Sequence, residues 1–160
     1  MNLFYAHMSS PVGHLMVFAH DAGVRAVLWE KEADERVSLG DDLKRGDHPV
    51  LAQTIRELGE YFEGQRTRFS VPLDPQGTEF QKQAWMALRG IPYGETRSYS
   101  EQAQAMGRPK AVRAVGAANG RNPISIIVPC HRVIGKSGDL TGFGGGLAAK
   151  RKLLEIEAAF

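Results

Sequence analysis

The residues best suited to covalent chemistry lie near position 130, where the single cysteine of the chain is followed directly by a histidine. A cysteine is nucleophilic only as a thiolate, which a nearby imidazole or guanidinium favours. The apolar residues 124–128 predict a buried extended segment, and Pro129 then redirects the chain, so a turn could bring Cys130 and His131 into one site. A lone cysteine after an apolar run is more often an inert buried side chain. Both interpretations of Cys130 stay open at this point.

A carboxylate that could complete such a site lies near the C-terminal end. At about 100° per residue, Glu157 falls inside the apolar arc of a helical wheel, whereas Glu155 falls on the solvent side. A buried carboxylate needs a partner. His131 is a candidate, which would give a Cys-His-Glu relay. Fraying of the helix end would instead leave Glu157 exposed.

The cysteine and histidine content limits the metal chemistry of the chain. One cysteine excludes an internal disulfide and any zinc site built from several cysteines. The four other histidines, which are His7, His14, His20 and His48, show no ligand-like spacing. Of these, His14 and His20 lie in apparent strands and are expected to be surface or satisfied core residues. Neither a metal site nor a cofactor is predicted.

The composition is that of an ordinary globular protein. Of 160 residues, 42% are hydrophobic and 24% are charged, which is enough for one domain or two small ones. No apolar run reaches the length of a membrane span, and the N-terminus lacks the layout of a secretion signal. These features predict a cytoplasmic protein without membrane association.

The net charge of +2 conceals an uneven distribution of charged residues. Residues 1–75 carry 8 basic and 12 acidic side chains, whereas residues 76–160 carry 12 basic and 6 acidic ones. Such asymmetry suggests that the second half faces a polyanion. A solvated basic surface would produce the same count, so charge alone makes nucleic acid only modestly more plausible.

The first half has the pattern of a small sheet and one helix. Strand-like residues 3–8, 15–19 and 24–29 are separated by turn sequences and predict an antiparallel meander. The polar residues 30–47 predict a loop with some helix.

Residues 49–63 have a helical period, with one face formed roughly by Val50, Ile55, Leu58 and Phe62. A linker at residues 73–77 then divides the chain into an α/β domain at 1–75 and a second domain at 76–160.

The sequence of the second half predicts helices that are joined by short loops. Thr78 is suited to cap a helix that runs through Leu88. Ser98 and Glu101 have the spacing of a capping box and open a short helix that ends at Met106.

A second short helix is predicted to follow closely. Gly107 suits the end of the preceding helix, and Pro109 suits the first position of the next, which extends from about residue 110 to 119. Two short helices joined by a glycine-containing turn outline a helix-turn-helix. The second helix carries small residues between basic ones, so it could press on a sugar-phosphate surface or simply pack against neighbouring helices. Composition favours neither.

A family resemblance emerges from the order of these motifs. The chain resembles the methylated-DNA–protein-cysteine methyltransferases over residues 78–158, nearly without a gap. The match includes Ile-Pro-Tyr-Gly-Glu-Thr-Arg-Ser-Tyr (91–99), Arg-Ala-Val-Gly (113–116), Asn-Pro (122–123), Ile-Val-Pro-Cys-His-Arg-Val-Ile-Gly (127–135), Gly-Asp-Leu-Thr-Gly-Phe-Gly-Gly-Gly (138–146) and residues 150–157. Residues 1–75 resemble the family's variable N-terminal domain only in size and pattern. The implied fold is a ribonuclease-H-like α/β domain followed by a mainly α, winged-helix-like domain.

The resemblance implies a single, irreversible transfer of an alkyl group from O6-alkylguanine, and from O4-alkylthymine, to Cys130. His131 would take the thiol proton through a water molecule, and Glu157 would orient His131. Asn122 would brace the turn that joins the DNA-binding helices to the active site. Tyr99 would hydrogen-bond the guanine ring as it leaves. The α/β domain would have no direct chemical role.

The implied partner is duplex DNA that carries the damaged base. Base flipping meets a physical need, because the alkylated oxygen cannot be attacked inside the base stack. Arg113 would fill the space of the flipped nucleotide, with the second helix in the minor groove. The implied DNA-binding residues are Arg108, Lys110, Arg113, Ala114, Gly116 and Arg121, and the implied pocket residues are Val128, Pro129, Phe143, Gly144 and Gly145. Phe143 replaces a tyrosine of many relatives, which bears on the size of alkyl group accepted. The acting unit would be a monomer at the nucleoid, with cooperative association on DNA left open.

Two other functions fit parts of the pattern. A cysteine hydrolase would use the same Cys130, His131 and Glu157 but would turn over repeatedly. A regulatory helix-turn-helix protein would bind preferred sequences without covalent change. Intact mass after exposure to O6-methylguanine duplex is the most useful single observation, because only the self-alkylating protein gains the alkyl group.

Overall fold

The computed structural model describes residues 2–30, 39 and 43–159. The first part forms a sheet of strands β1 (Leu3–Ser10), β2 (Gly13–His20), β3 (Gly23–Trp29) and β4 (Leu43–Arg45), in the spatial order β3-β2-β1-β4. The predicted meander is confirmed, since β1 pairs antiparallel with β2 and β2 with β3.

The strand β4 was not predicted. It pairs parallel with β1, so the sheet is mixed and the prediction of loop and helix over residues 30–47 is wrong at 43–45. The basic, exposed sequence of β4 carries no alternating pattern, because it forms a short sheet edge with all three residues exposed. Residues 31–38 and 40–42 of that prediction lie outside the described residues.

The helix α1 (Pro49–Phe62) follows, as predicted. The ring of His48 accepts a hydrogen bond from the backbone N–H of Val50 at 3.1 Å and caps the helix. The buried face differs from the predicted one, because it consists mainly of Leu51, Thr54, Leu58 and Tyr61. The polar residue Thr54 made this face difficult to recognise in the sequence. Its hydroxyl donates a hydrogen bond to the backbone oxygen of Val50 at 2.7 Å, which allows the side chain to be buried.

The free edge of β3 binds two segments from further along the chain. The N–H of Val24 donates to Pro72 O and the N–H of Asp74 donates to Val24 O, each at 2.8 Å. Val27 pairs in the same way with residues 123–125, through Val27 N to Pro123 O at 2.9 Å and Ser125 N to Val27 O at 3.1 Å. The sheet therefore supports the chain just before the reactive turn.

The second part contains α2 (Glu79–Arg89), β5 (Arg97–Ser98), α3 (Tyr99–Ala105), α4 (Val112–Gly120), β6 (Val133–Ile134) and α5 (Leu147–Ile156). The helix α2 starts at the predicted N-cap Thr78, which also forms a capping box with Gln81, and α3 starts at the predicted capping box of Ser98. The predicted start of α4 is wrong by two residues. Pro109 and Lys110 lie in a turn closed by Ala111 N to Arg108 O at 2.9 Å, which takes the place of the first helical turn.

The apolar residues 124–128 are buried, as predicted, but they do not form a continuous strand. Ile126 has a φ of 76°, a left-handed conformation that is rare for a β-branched residue. The N–H of Val128 bonds back to Ile124 O at 3.0 Å. The chain therefore makes a tight turn where the sequence suggested extended backbone.

One core joins the sheet to the helices, with Leu15, Val27, Leu58, Trp85 and Leu153 among its members. Within the described residues no helix is long and apolar enough to cross a membrane.

Candidate active site

The reactive turn is a short 3₁₀ helix, Cys130–Arg132, that follows Pro129 directly. The N–H of Arg132 closes the turn on Pro129 O at 3.0 Å. Cys130 keeps 8% of its surface exposed, whereas His131 is completely buried. The turn that the sequence required at Pro129 is present and places the thiol at the surface edge and the imidazole in the interior.

The side chain of Asn122 holds the approach to this turn. Its Nδ2 donates to Val128 O at 2.8 Å, and its Oδ1 accepts from the N–H of Ile124 at 3.0 Å. Asn122 is fully buried, so both backbone groups find a partner away from water. This contact fixes the bend that contains Ile126.

His131 faces Glu157 on the last turn of α5. The distance from His131 Nε2 to Glu157 Oε2 is 2.7 Å, and both side chains are buried. Burial lowers the pKa of His131 below its ordinary value, although the hydrogen bond to Glu157 opposes this. An ionised carboxylate only accepts hydrogen bonds, so Nε2 carries the proton of the neutral ring. Among the described residues nothing bonds Nδ1, which is left as the basic nitrogen.

Glu157 is held by several donors. Arg132 donates from Nε to Oε1 at 2.8 Å and from Nη2 to Oε2 at 3.1 Å, and Tyr61 donates its hydroxyl to Oε2 at 2.5 Å. Burial alone would raise the pKa of Glu157, but hydrogen bonds from His131, Arg132 and Tyr61 outweigh it and hold that pKa at about 2. Glu155, by contrast, is exposed, so the predicted phase of the last helix is confirmed.

A buried lysine lies beside the turn. Lys150 Nζ donates to Val133 O at 2.7 Å and to Thr141 O at 3.2 Å. Burial lowers the pKa of Lys150, and the charge of a Cys130 thiolate opposes this shift. An ammonium group close enough to feel that charge would favour the ionised form of the cysteine.

A cavity of about 60 Å³ opens at Cys130. Its lining includes Tyr99, Phe143 and Gly144, as the resemblance implied. The hydroxyl of Tyr99 lies 2.6 Å from Thr141 Oγ1. Gly116 also lines the cavity, so α4 forms part of its wall.

Three predicted pocket residues lie elsewhere. Val128 is buried with its carbonyl bound to Asn122, and Pro129 faces a separate groove of about 1040 Å³. Gly145 lies against the indole of Trp29, where an added Cβ would come within 2.5 Å of ring carbons. Trp29 in turn meets Phe143 edge-to-face, with ring centroids 5.3 Å apart.

Most of the residues expected to bind DNA are exposed, on α4 or close to its ends. The exposed cations among them are Arg108, Lys110, Arg113 and Arg121. Ala114 is exposed as well, and Gly116 is half-buried. Val115 and Ala118 pack inward. The small residues of α4 thus serve both purposes considered from the sequence, close packing on one face and an unobstructed surface on the other.

Sequence reasoning missed three polar residues around the carboxylate and the thiol. Lys150 lies seven residues before Glu157, so the helical phase that buried the glutamate also buries the lysine. Arg132 adjoins His131 in the same tetrad. Tyr61 lies three residues after Leu58 on the inner face of α1, but nothing in the sequence joins it to a residue 96 positions away.

Comparison with known proteins agrees with this architecture. Two family profiles match the chain: 6-O-methylguanine DNA methyltransferase, ribonuclease-like domain, over residues 3–75, and 6-O-methylguanine DNA methyltransferase, DNA binding domain, over residues 79–159. A methylated-DNA–protein-cysteine methyltransferase of Methanosarcina acetivorans is 45% identical over 157 residues, 98% of this chain and 99% of the relative. That of Mycobacterium leprae is 49% identical, over 94% of this chain and 89% of the relative. The crystal structure of Mycobacterium tuberculosis OGT in complex with DNA matches with a TM-score of 0.87 at 47% identity, covering 98% of this chain and 93% of that one.

The fold and the site define a two-part protein in which a buried histidine–carboxylate pair adjoins a single cysteine beneath a basic helix-turn-helix. The chain belongs to the 6-O-methylguanine DNA methyltransferase family. The predicted family resemblance and the predicted fold class are both confirmed.

Proposed function

We propose that this chain repairs DNA by direct reversal, moving the alkyl group of O6-alkylguanine in duplex DNA onto Cys130. One observation carries the proposal. His131 binds Glu157 through Nε2, and within the described structure its Nδ1 has no hydrogen-bond partner. The neighbouring residue Cys130 lines a cavity whose wall includes part of α4. The role of each site residue follows from that arrangement.

The chemistry begins with the thiol proton. Nδ1 of His131 accepts the proton of Cys130, directly or through one water, and Glu157 stabilises the resulting imidazolium. The thiolate attacks the alkyl carbon, so that a carbon–sulfur bond forms while the carbon–oxygen bond to guanine breaks. The departing purine takes up a proton from the hydroxyl of Tyr99, which lines the cavity and lies 2.6 Å from Thr141 Oγ1, and the proton held by His131 returns to the tyrosine through solvent. Guanine and a thioether are the products.

The substrate base must leave the base stack of the duplex before it can enter the cavity at Cys130. The cavity of about 60 Å³ at Cys130 lies between α4 and the segment at Phe143 and Gly144, where the flipped base would bind. The exposed cations around α4 bind phosphates, and Arg113 on the first turn of that helix fills the vacated stack. O4-alkylthymine is a second substrate of the same chemistry.

The proposal extends to the whole molecule. The acting unit is a monomer that works at the nucleoid in the cytoplasm, with domains at residues 1–75 and 76–160. A binding isotherm on long duplex distinguishes independent from cooperative association.

The decisive experiment is intact-mass analysis after incubation with excess O6-methylguanine duplex. We expect one methyl group per molecule, located on the peptide that contains Cys130, and none in Cys130→Ser, which still binds duplex. A thioether has no easy hydrolytic exit, unlike the thioester of a cysteine hydrolase. Repair of many lesions per molecule with Cys130 unmodified would establish a turnover enzyme instead. Sequence-preferring binding with no mass change would establish a regulatory protein.

A further inference from the structure

One cluster of potential metal ligands lies outside the reactive turn, on the face of the sheet opposite to Leu15 and Trp29. His7 is on β1, His14 is on β2, and Glu30 follows the end of β3. One ligand atom from each lies within 4.8 Å of the other two. The sequence spacing of these residues predicted no metal site, because the ligands come from three different strands.

The register of the sheet explains why the three side chains meet. His14 is the partner of Ser9 on β1, and His7 lies two residues before Ser9, so both imidazoles are on one face. Leu15 pairs with Trp29, which places His14 beside Glu30 on that same face.

The distances suit a small divalent cation. His14 Nε2 lies 3.6 Å from Glu30 Oε2, and the rings of His7 and His14 have centroids 5.9 Å apart. A tetrahedral zinc ion with bonds of about 2.0–2.2 Å holds neighbouring ligand atoms about 3.4 Å apart. About half of the His14 and Glu30 side-chain surface is exposed, at 49% and 52%, so their rotamers can close the remaining gap.

We propose that His7, His14 and Glu30 form a binding site for a divalent transition metal such as Zn²⁺, which ties three strands of the sheet together. Two imidazoles and one carboxylate are ligands that zinc prefers, and water completes the fourth position. The site is separate from the alkyl-transfer chemistry. Its effect is on the stability of the sheet, since an ion that binds only the folded chain raises the midpoint of thermal unfolding.

The test titrates ZnCl2 into tag-free, chelator-treated protein by calorimetry. Every protein carries Cys130→Ser, so that the thiol cannot supply the ion's ligand. We expect one equivalent bound, and affinity at least about tenfold weaker in His7→Asn and in His14→Asn. The matched control is His48→Asn, since His48 is bound to Asp21 at 2.7 Å outside the cluster.

Two results would overturn the site. One is the absence of zinc binding in the parent protein. The other is an equal loss of affinity in His48→Asn and His14→Asn. Unfolding midpoints that rise with zinc in the parent, and stay constant in His14→Asn, would support the proposed effect on stability.

A second inference rests on a different observation, the contact between Tyr61 and Glu157, and it depends on the proposed function. Tyr61 is a fully buried residue of α1 in the first part of the chain, yet its hydroxyl donates to the same Oε2 that binds His131. We infer that Tyr61 is a positioning residue for alkyl transfer, acting on His131 through Glu157. The first domain thereby sets the basicity of a residue in the second.

The physical basis is competition for one carboxylate oxygen. Burial and the Glu157 charge raise the pKa of Tyr61 far above its ordinary value, so the hydroxyl stays a donor. Its hydrogen bond spreads the charge of Oε2 and weakens the hold of Glu157 on a protonated His131. Arg132 and Tyr93 are charged or ionisable groups that also face this pair, Lys150 faces His131, and Cys130 faces Lys150.

Tyr61→Phe removes the hydroxyl and keeps the ring. We expect the acid limb of the pH–rate profile for methyl transfer to move to higher pH by roughly 0.5–1 unit, because His131 becomes easier to protonate. A purely structural role would lower the rate equally at every pH. Tyr93→Phe is the control, since the hydroxyl of Tyr93 donates to Ile156 O at 3.2 Å and not to the carboxylate.

The outcomes distinguish a failure of the positioning role of Tyr61 from a failure of the proposed alkyl-transfer function. Transfer with an unshifted acid limb in Tyr61→Phe, or with the same shift in Tyr93→Phe, overturns the positioning role alone. No methyl transfer by the unsubstituted protein removes the proposed function and this inference together.

Discussion

The carboxylate at the centre of the site offers the sharpest perturbation, because Glu157→Gln changes charge and hydrogen bonding without changing shape. The two oxygens of Glu157 accept from Tyr61, His131 and twice from Arg132, at 2.5 to 3.1 Å. An amide keeps one acceptor and replaces the other with an NH2 group. At least one present donor then faces another donor in a dry environment.

The magnitude follows from what is left unpaired. Arg132 is only 7% exposed and loses its counter-charge, and removal of one partner of a buried ion pair costs about 3–5 kcal/mol of unfolding free energy. The imidazolium of His131 loses its charge partner as well. We expect the transfer rate to fall on the order of 100- to 10,000-fold, the usual size of an acid–base contribution.

The assay measures the rate of single-turnover methyl transfer from duplex DNA by mass spectrometry of the protein. Urea unfolding of the same samples measures the free energy of unfolding. Glu155→Gln is the matched control, since it removes the same charge from an exposed position on the same helix. It should change the rate less than about threefold and the stability by under about 0.5 kcal/mol. A larger defect in Glu155→Gln than in Glu157→Gln would refute the relay.

Four further predictions test other parts of the molecule. Arg113→Ala should slow repair in duplex but spare reaction with a free alkylguanine base; equal losses on both substrates would place Arg113 in the pocket. Gly145→Ala should cost about 1–3 kcal/mol of stability in urea unfolding, because its Cβ would meet the indole of Trp29, and Trp29→Leu should relieve much of that cost; no relief would locate the strain elsewhere. Because the pKa of Glu157 is lowered in the folded protein, Glu157 takes up a proton first in the unfolded chain as pH falls. Its ionised form therefore contributes up to about 3 kcal/mol to the free energy of unfolding, a contribution that is complete above pH 4.5 and lost as pH falls towards about 2. Denaturant unfolding at stepped pH should therefore show the unsubstituted protein converging on Glu157→Gln in acid. Methylated Cys130 should lower the unfolding midpoint of the protein, since Cys130 is only 8% exposed and an added methyl can crowd its packed neighbours; an unchanged midpoint would mean that the cavity accepts the methyl without strain.

Local rules in the sequence predicted the features that depend on neighbouring residues. The N-cap at Thr78 and the capping box at Ser98 depend only on residues within one helical turn, and both are present. The burial of Glu157 and the exposure of Glu155 follow from the helical period alone. Each of these features is decided within one or two turns of chain, where sequence and geometry are directly linked.

The features that escaped prediction depend on distant partners. β4 forms because β1 offers a free edge some 40 residues earlier, as in the pair Leu3 with Leu43. Ile126 adopts a φ of 76° because Asn122 clamps both sides of the bend, which overrides the extended preference of a β-branched residue. The conformational preferences of single residues contain no information on either of these contacts with other parts of the chain.

The largest gap between sequence and structure concerns the first domain, which the resemblance left without a chemical role. Three of its elements reach the site: Tyr61 binds the carboxylate, Trp29 packs on Phe143, and Val27 pairs with the backbone at residues 123–125. These contacts differ in kind, since one adjusts charge, one supports the pocket wall and one anchors the bend before Cys130. Each contacts a part of the chain at or near the site that has little support of its own, because Ile126 has a rare left-handed conformation and Gly144 has no side chain to pack. The two parts that the family profiles match, residues 3–75 and 79–159, therefore share one site, and the chemistry proposed for Cys130 belongs to the whole chain.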